Sequence, residues 1–599
     1  MNVISPNDYY RARLKNLDAE LVKLRSKKSA IGWLRFGSIA LAATLFYFLW
    51  NLGWIYPVAA ATLLLIAFTR LVFADIRTRE KITHLEHLIQ INKDELLALE
   101  NNFLHFDDGA RFSPKEHPYS NDLDIFGRSS IFQFINRCCG EPGATDLASW
   151  LLEAASPETI LKRQEAVKEL SALPDWRQEL QATGKEQPIR FETIERLKKW
   201  LGERDRFLGF THWRWLRYLL PAIILTISAL TIFDYLSINV FYGALLIFAI
   251  IAFQINKEVA PIHNQLNKIV DEIDVLSGVV AHIEQTNFNA SLLAGLHQHF
   301  STDSIKASAA LRELKRILDR LDMRYNIAAS APLNLFLLWN LHQVLDLEKW
   351  KRKYGQYIPQ WFSAAGELEA LSSFGNLAFN QPGWCYPEIA DQYFTVTATE
   401  MGHPLISSDK RVNNPLHIDN RGELMIVTGS NMAGKSTYLR SIGVNTVLAM
   451  AGAPVCAGQF RLSHVQVISS MRIADNLEES TSTFYAELKK LKAIIDRVNA
   501  GERLFILLDE ILRGTNSLDR HTGAVALIKQ FLRHKAVCII ATHDVELAKL
   551  KESYPQSILN YHFDVQVEKE ELYFDYKLKE GICNSLNASI LMKKIGIEL

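Results

Sequence analysis

The sequence predicts a multidomain α plus α/β protein: a long helical part with two apolar helical hairpins, then an α/β domain on a parallel sheet. Three observations predict it. Two pairs of apolar runs, within 36–73 and 218–255, are each split by only a few residues. Leucine and isoleucine stripes at heptad spacing accompany both pairs. From about Tyr393 short β-rich runs replace the long helical periods, with helical patterns between the later ones. At roughly 100–200 residues per domain, the 599 residues suggest three to five domains. A chain 48% hydrophobic and 22% charged excludes wholesale disorder. The 66 Lys and Arg balance 66 Asp and Glu, which argues against a globally basic nucleic-acid binder and leaves room for a local basic face. A mean hydropathy of zero argues against a polytopic transporter.

The first element is polar. Residues 1–28 are charged, so no secretory signal is expected there. The six cysteines form no C-x-x-C pair and read as small buried residues in a reducing compartment. Apolar runs 36–50 and 55–73 follow, broken by Asn51-Leu52-Gly53-Trp54. The second pair, 218–233 and 236–255, is split by Asp234 and Tyr235. Each run approaches the roughly 20 residues a bilayer span needs. Trp33, Trp50, Trp54, Tyr56 and Tyr218 sit near the ends, as in interfacial belts. Lys27, Lys28, Arg35, Arg70, Arg77, Arg79, Arg214, Arg217 and Lys257 crowd the outer flanks. The positive-inside rule then puts both tips outside and the rest of the chain in the cytoplasm, so a multi-pass protein of the cytoplasmic (inner) membrane in contact with the lipid bilayer is expected. Buried core helices are the competing reading.

Tyr10, Leu14, Leu17, Leu21 and Leu24 step by heptad spacing, as do Ile82, Leu85, Ile89, Leu96, Leu99 and Phe103, with Asn92 at one seam position. Joined by a hairpin, these helices should form a short antiparallel coiled coil. Val259, Ile262, Leu266, Ile269, Ile273, Leu276, Val280 and Ile283 give another, unbroken heptad. The expected domains are 1–110, with the first hairpin; 111–390, helical, with the second; and 391–599, α/β, with strand runs at 393–397, 424–428, 504–508 and 537–541.

The chemistry lies in that last part. After the buried-strand run Leu424-Met425-Ile426-Val427 come Gly429-Ser430-Asn431-Met432-Ala433-Gly434-Lys435-Ser436-Thr437 and a helical pattern. This is G-x-x-x-x-G-K-[ST] in strand–loop–helix context, a P-loop. Its glycines turn backbone N–H groups toward phosphate oxygens, and the helix N-terminus adds partial positive charge. Lys435 can reach the β- and γ-phosphates and Ser436 can ligate Mg²⁺. Leu504-Phe505-Ile506-Leu507-Leu508-Asp509-Glu510 is a Walker B strand. Asp509 should hold the Mg²⁺ shell and Glu510 should orient or activate the attacking water. Val537-Cys538-Ile539-Ile540-Ala541-Thr542-His543 ends in a histidine able to bond the γ-phosphate. ATP and Mg²⁺ are the implied cofactors.

These residues closely resemble the MutS-type mismatch-repair ATPases. The resemblance rests on the P-loop from Thr428 to Tyr438; on Ala474-Asp475-Asn476 with Ser480-Thr481-Ser482-Thr483-Phe484-Tyr485-Ala486-Glu487-Leu488, like the family's S-T-F-x-x-E signature; on Asp509-Glu510-Ile511-Leu512-Arg513-Gly514-Thr515-Asn516-Ser517-Leu518-Asp519; on Ala541-Thr542-His543; and on Gly402-His403-Pro404-Leu405. Upstream, Asp122-Leu123-Asp124-Ile125-Phe126-Gly127, Trp150-Leu151-Leu152 and the stretch from Arg163 to Leu170 resemble its helical core. The resemblance implies an ABC-type P-loop ATPase domain, a helical core and lever region, a homodimer, DNA as partner, and Ser482 and Thr483 closing on the partner subunit's nucleotide.

Departures from the family matter too. Only about 110 residues precede the core, they hold an apolar hairpin, and they show no Phe-x-Glu mismatch wedge; the second hairpin sits in the lever region. No C-terminal nuclease-like extension is expected beyond Leu599. Leu512 and Arg520 stand where the family usually has glycine, which should alter the loop after Glu510 and leave Asp509 and Glu510 intact. Three functions therefore compete: a membrane-anchored MutS-like ATPase that switches a dimeric clamp on DNA, an ATP-switched membrane scaffold without DNA binding, and an ABC-type transport engine. The last is disfavoured by four spans and no L-S-G-G-Q.

Overall fold

The computed structural model describes residues 5–50, 53, 55–302, 305–430, 433–472, 483–568 and 571–583. Helix α1 (Pro6–Leu49) opens on Ser5, whose side chain accepts from the Asp8 N–H, with Pro6 in the first turn. Such a cap satisfies donors that the first turn leaves free. Helix α2 (Ile55–Leu99) returns beside it. Arg25 pairs with Glu86 at 2.7 Å and Arg35 with Asp75 at 2.8 Å. Ten residues up one helix match eleven down the other, so the pair is antiparallel. Each expected span and its adjoining heptad stripe thus form one continuous helix. Asn51, Leu52 and Trp54 of the tip lie outside the described residues.

Leu14, Leu17, Leu21 and Leu24 close on Ile82, Leu85 and Ile89, as the heptads require. The expected seam ends there. Leu96 and Leu99 are only half-buried, and Asn92 faces away from α1, exchanging amide bonds of 3.0 and 3.1 Å with Gln178 of the helix Pro174–Glu186. At the other end Tyr10 leaves the coiled coil and donates to Asn380 at 2.7 Å. The helical body offers both residues a better-buried partner than the opposite helix does, so the seam yields to it.

Helices α3 (Trp213–Ile232) and α4 (Ile238–Leu266) form the second pair. Their turn spans 233–237, wider than the two residues expected, with Asp234 at φ 60°. The stripe after it is not one unbroken helix. A 3₁₀ turn at Asn267–Ile269 separates α4 from α5 (Val270–Glu284). Leu266, Ile269, Ile273 and Leu276 stay buried across the break, because the tighter three-residue turn keeps successive apolar side chains on one side. All four apolar segments are long and apolar enough to cross a membrane by length and composition. Their apolar faces point outward: Trp33 is 73% exposed and Phe253 69%.

Helix α6 (Ile358–Asn380) runs through the helical body against Glu141–Leu152 and Pro157–Ser171. The main sheet contains β1 (Leu424–Thr428), β2 (Gln466–Ser470), β3 (Leu504–Asp509), β4 (Val537–Thr542), β5 (Ile558–Phe563) and β6 (Leu578–Glu580), in the order β6-β5-β1-β4-β3-β2. All pairs are parallel except β5 with β6. Alternation sorts the side chains. Met425, Val427, Phe505, Leu507 and Ile539 join the core shared with the helical body. Leu424, Ile426, Ile506, Leu508 and Ile540 face the opposite cluster. Both faces are therefore apolar, as a parallel sheet covered on both sides demands.

Helices α7 (Lys435–Ala451), α8 (Thr483–Asn499) and α9 (Ser517–Arg533) cover the sheet. Helix α7 lies between sheet and helical body. Gly443 lets Leu123 approach so closely that a Cβ there would sit 2.6 Å from the leucine side chain. The expected strand at 393–397 begins only at Val396, within a second sheet ordered Glu388–Ala390, Gln459–Ser463, Val396–Met401, Asn414–Ile418. The aromatic ring of Phe394 packs on Phe505 at 5.3 Å instead. Its hydrophobicity serves the core rather than a ladder. The six cysteines, all among the described residues, form no disulfide; Cys456, Cys538 and Cys583 are buried as expected, whereas Cys138, Cys139 and Cys385 are only partly buried.

Candidate functional site

Strand β1 ends at Thr428 and α7 starts at Lys435, so the loop between them is short and its turns are steep. Gly429 has φ 150°, and a Cβ there would lie 2.7 Å from the Phe563 carbonyl oxygen. Gly434 has φ 105°, a left-handed conformation that side chains resist. Lys435 Nζ donates to the Gly429 and Ser430 carbonyls at 2.7 and 2.9 Å. Burial holds its pKa below the ordinary lysine value, with Glu510 and Asp509 pulling the other way. Ser436 and Thr437 are exposed in the first turn and Ala433 is buried. Asn431 and Met432 lie outside the described residues.

Strand β4 lies between β1 and β3, in register Thr542 with Thr428 and Ala541 with Asp509. The three chemistry-bearing strand ends are therefore level neighbours. Burial pushes the Asp509 carboxyl up, while a hydrogen bond with Ser436 and the charge of Arg513 oppose it. Asp509 Oδ1 is buried with no hydrogen-bond partner among the described residues. A buried carboxylate oxygen beside a serine hydroxyl is the hard oxygen donor set that Mg²⁺ takes. Glu510, with φ 50°, donates its N–H to the Ala541 carbonyl at 2.8 Å. His543 Nδ1 stands 3.7 Å from Glu510 Oε1, near enough for an ion pair if protonated and too far for a direct hydrogen bond.

The fold brings here several residues whose roles could not be read from local pattern. Arg513 lies 3.2 Å from the Glu510 carboxylate and donates to the backbone carbonyls of Glu510 and Asp509 at 3.0 and 3.3 Å. Glu487, on α8, accepts from the N–H groups of Leu512 and Arg513, tying the signature helix to the loop after β3. Leu512 adopts φ 60° there, although it has a side chain where glycine would be unstrained. A cleft of about 400 Å³ lies in front of the loop, lined by His403, Arg411, Lys435, Glu510, Phe563 and Tyr576 among others. Burial and the nearby Arg440 lower the His403 pKa to about 4, which keeps the ring neutral. A cluster of aromatic residues after β5 was the one available signal for Tyr576.

Ser482 lies outside the described residues, as do Ala474-Asp475-Asn476 and the side chain of Thr483, whose backbone begins α8. The segment leading to them is anchored from the helical body. Asp122 accepts from Ser469 Oγ at 2.8 Å, from the N–H groups of Met471 and Arg472 at 3.2 and 3.1 Å, and from Lys490 Nζ at 2.6 Å.

Residues 425–593 match the family model for MutS domain V. The chain is 32% identical over 240 residues to the human MutS protein homolog 4, covering 38% of this chain and 25% of that protein. It is 33% identical over 225 residues to the DNA mismatch repair protein MutS of Chlorobium phaeovibrioides, covering 36% and 25%. It is 34% identical over 221 residues to the protein of that name from Aquifex pyrophilus, again covering 36% and 25%. The chain thus spans about a quarter of the length of the curated relatives it matches. The glycine loop before Lys435, the Asp509 and Glu510 carboxylates and His543, at three adjacent strand ends, thus lie within the region that is similar to MutS domain V.

Proposed function

We propose that the protein is a membrane-anchored, MutS-like ATPase that binds and hydrolyses ATP to switch a dimeric clamp on DNA. The observation that carries this reading is the meeting of Lys435, Ser436 and Glu510 on one cleft, with Asp509 at the end of β3 level with the neighbouring strand ends. Loop N–H groups and the α7 N-terminus would bind the phosphates. Lys435, already buried and held by two carbonyls, would exchange them for phosphate oxygens. Ser436 and Asp509 would hold Mg²⁺, which neutralises charge developing on the phosphates. Glu510 would orient the attacking water, with Arg513 fixing its carboxylate and His543 contacting the γ-phosphate. The 44%-exposed ring of Tyr576 at the cleft mouth offers a stacking face for the base.

The three-domain division at about 110 and 390, the ABC-type pairing of two subunits, and the closing of Ser482 and Thr483 on the partner's nucleotide belong to the same reading. Its DNA component rests on the relatives, two of which are named for DNA mismatch repair. The membrane component rests on the exposed apolar faces of α1 to α4. The balanced overall charge favours the second reading, an ATP-switched membrane scaffold. ATP turnover of the full chain in nanodiscs, with and without duplex DNA, tests both. Mg²⁺-dependent turnover stimulated by DNA supports the clamp. Turnover indifferent to DNA supports the scaffold, and no turnover overturns both.

A further inference from the structure

The coiled-coil half of the first hairpin passes into its apolar half at a groove between α1 and α2. Arg25, Lys28, Gly32 and Arg35 recur along one face of α1, and Asp75, Arg79 and Glu86 along the facing side of α2. The groove encloses about 680 Å³. It is open at Gly32, where an added Cβ would meet nothing within 4 Å. Four cations line it against two carboxylates. Arg25 is paired with Glu86 and Arg35 with Asp75. Lys28 and Arg79 make no ion pair among the described residues, which leaves two positive charges uncompensated in the groove.

The surroundings change character within one turn. Trp33, Leu34 and Phe36 on α1 and Phe73 and Ile76 on α2 are all exposed. Trp33 and Phe36 meet edge to face at 6.3 Å. A cationic groove bordered by exposed aromatic and aliphatic side chains suits a ligand with an anionic head and apolar tails. Basic pockets between membrane helices on the cytoplasmic side select such headgroups. We propose that this groove binds the phosphate headgroup of an anionic phospholipid, with Lys28 and Arg79 as its principal contacts and the exposed apolar residues beside the acyl chains. The proposal rests on the membrane reading of α1 and α2.

The test uses the full chain, extracted in neutral detergent and reconstituted with a mixture of phosphatidylglycerol and phosphatidylcholine. Lipids that stay bound are counted by native mass spectrometry. Each basic side chain near an anionic surface is worth roughly fivefold in affinity. Phosphatidylglycerol should therefore be retained about tenfold or more over phosphatidylcholine. The double variant Lys28→Gln, Arg79→Gln should bring retention close to parity. Equal retention of both lipids by the unaltered protein overturns the proposal, as does an unchanged preference in the variant. Inorganic phosphate, added at matched ionic strength, should not displace the lipid; displacement would reassign the groove to a soluble anion. Alkaline carbonate extraction separates the two levels. Release into the soluble fraction removes the membrane reading and this site together, whereas a protein kept in the bilayer without lipid preference removes this site alone.

Discussion

Asp122 and Lys490 are joined at 2.6 Å across the junction between the helical body and the signature helix α8. The aspartate is 2% exposed, and it also holds the chain at Ser469, Met471 and Arg472, where β2 runs toward the signature segment. One buried carboxylate thus fixes three backbone or side-chain groups and one ammonium from the α/β domain. Asp122→Asn keeps the shape and removes the charge. It should cost about 1–3 kcal/mol, since charge-assisted bonds to a buried acceptor are lost or weakened. Chemical denaturation checks the cost. ATP turnover should fall along with it, because the segment leading to Ser482 and Thr483 loses its anchor.

Lys435→Ala should abolish measurable nucleotide binding and lower turnover roughly 10²–10³-fold, the usual loss when a preorganised charge-stabilising group is removed. Glu510→Gln should bind ATP normally and hydrolyse it about 10²–10⁴-fold more slowly, as expected for loss of a positioned base. Nucleotide titration and single-turnover kinetics separate the two effects. Undiminished turnover in Glu510→Gln would falsify its role.

The apolar halves of α1 to α4 carry exposed Trp33, Phe36, Leu63, Leu246 and Phe253. A protein with these faces in water would aggregate; in a bilayer they are satisfied. The full chain should therefore stay in the pellet after alkaline carbonate treatment. Recovery in the supernatant would show that these segments pack as core helices.

On the clamp reading proposed above, DNA binding should be salt-sensitive and blind to mismatches. A clamp without an aromatic wedge contacts mainly phosphates, and such contacts weaken steeply as salt rises. Gel shifts of paired and mispaired duplexes at two salt concentrations should give equal affinities at each. A strong preference for one mispair would refute the absence of a wedge.

His84 on α2 bonds Glu179 at 2.8 Å and Glu186 at 3.2 Å, and these bonds raise its pKa to about 9. The folded value exceeds the unfolded one of about 6.5. The stabilisation is therefore fully present below about pH 6.5 and is lost as pH rises through about 9. Because the ring is partly exposed, about 1 kcal/mol is the expected size. Thermal unfolding of the full chain should show this loss between those pH values, and His84→Gln should show little of it.

Much of this protein was legible as pattern. All-apolar runs located β1, β3 and β4 within a residue or so, and glycine spacing located the loop that Gly429 and Gly434 turn. Heptads identified the coiled coil because side chains repeating every 3.5 residues leave a continuous apolar stripe. Lys435, Asp509 and Glu510 could be singled out for a similar reason: phosphate and metal binding demand particular groups at fixed local spacing. Tertiary structure decided what depends on residues far apart in the chain. It placed β4 between β1 and β3, which brings His543 beside Glu510. It recruited Arg513 and Glu487 to hold the carboxylate and its loop. It turned Asn92 and Tyr10 out of the coiled-coil seam toward Gln178 and Asn380. It also began a strand at Val396 rather than Tyr393, because Phe394 fills the core against Phe505. Local periodicity fixes which face of an element is apolar, whereas the partner that covers that face is chosen by the packing of the whole chain.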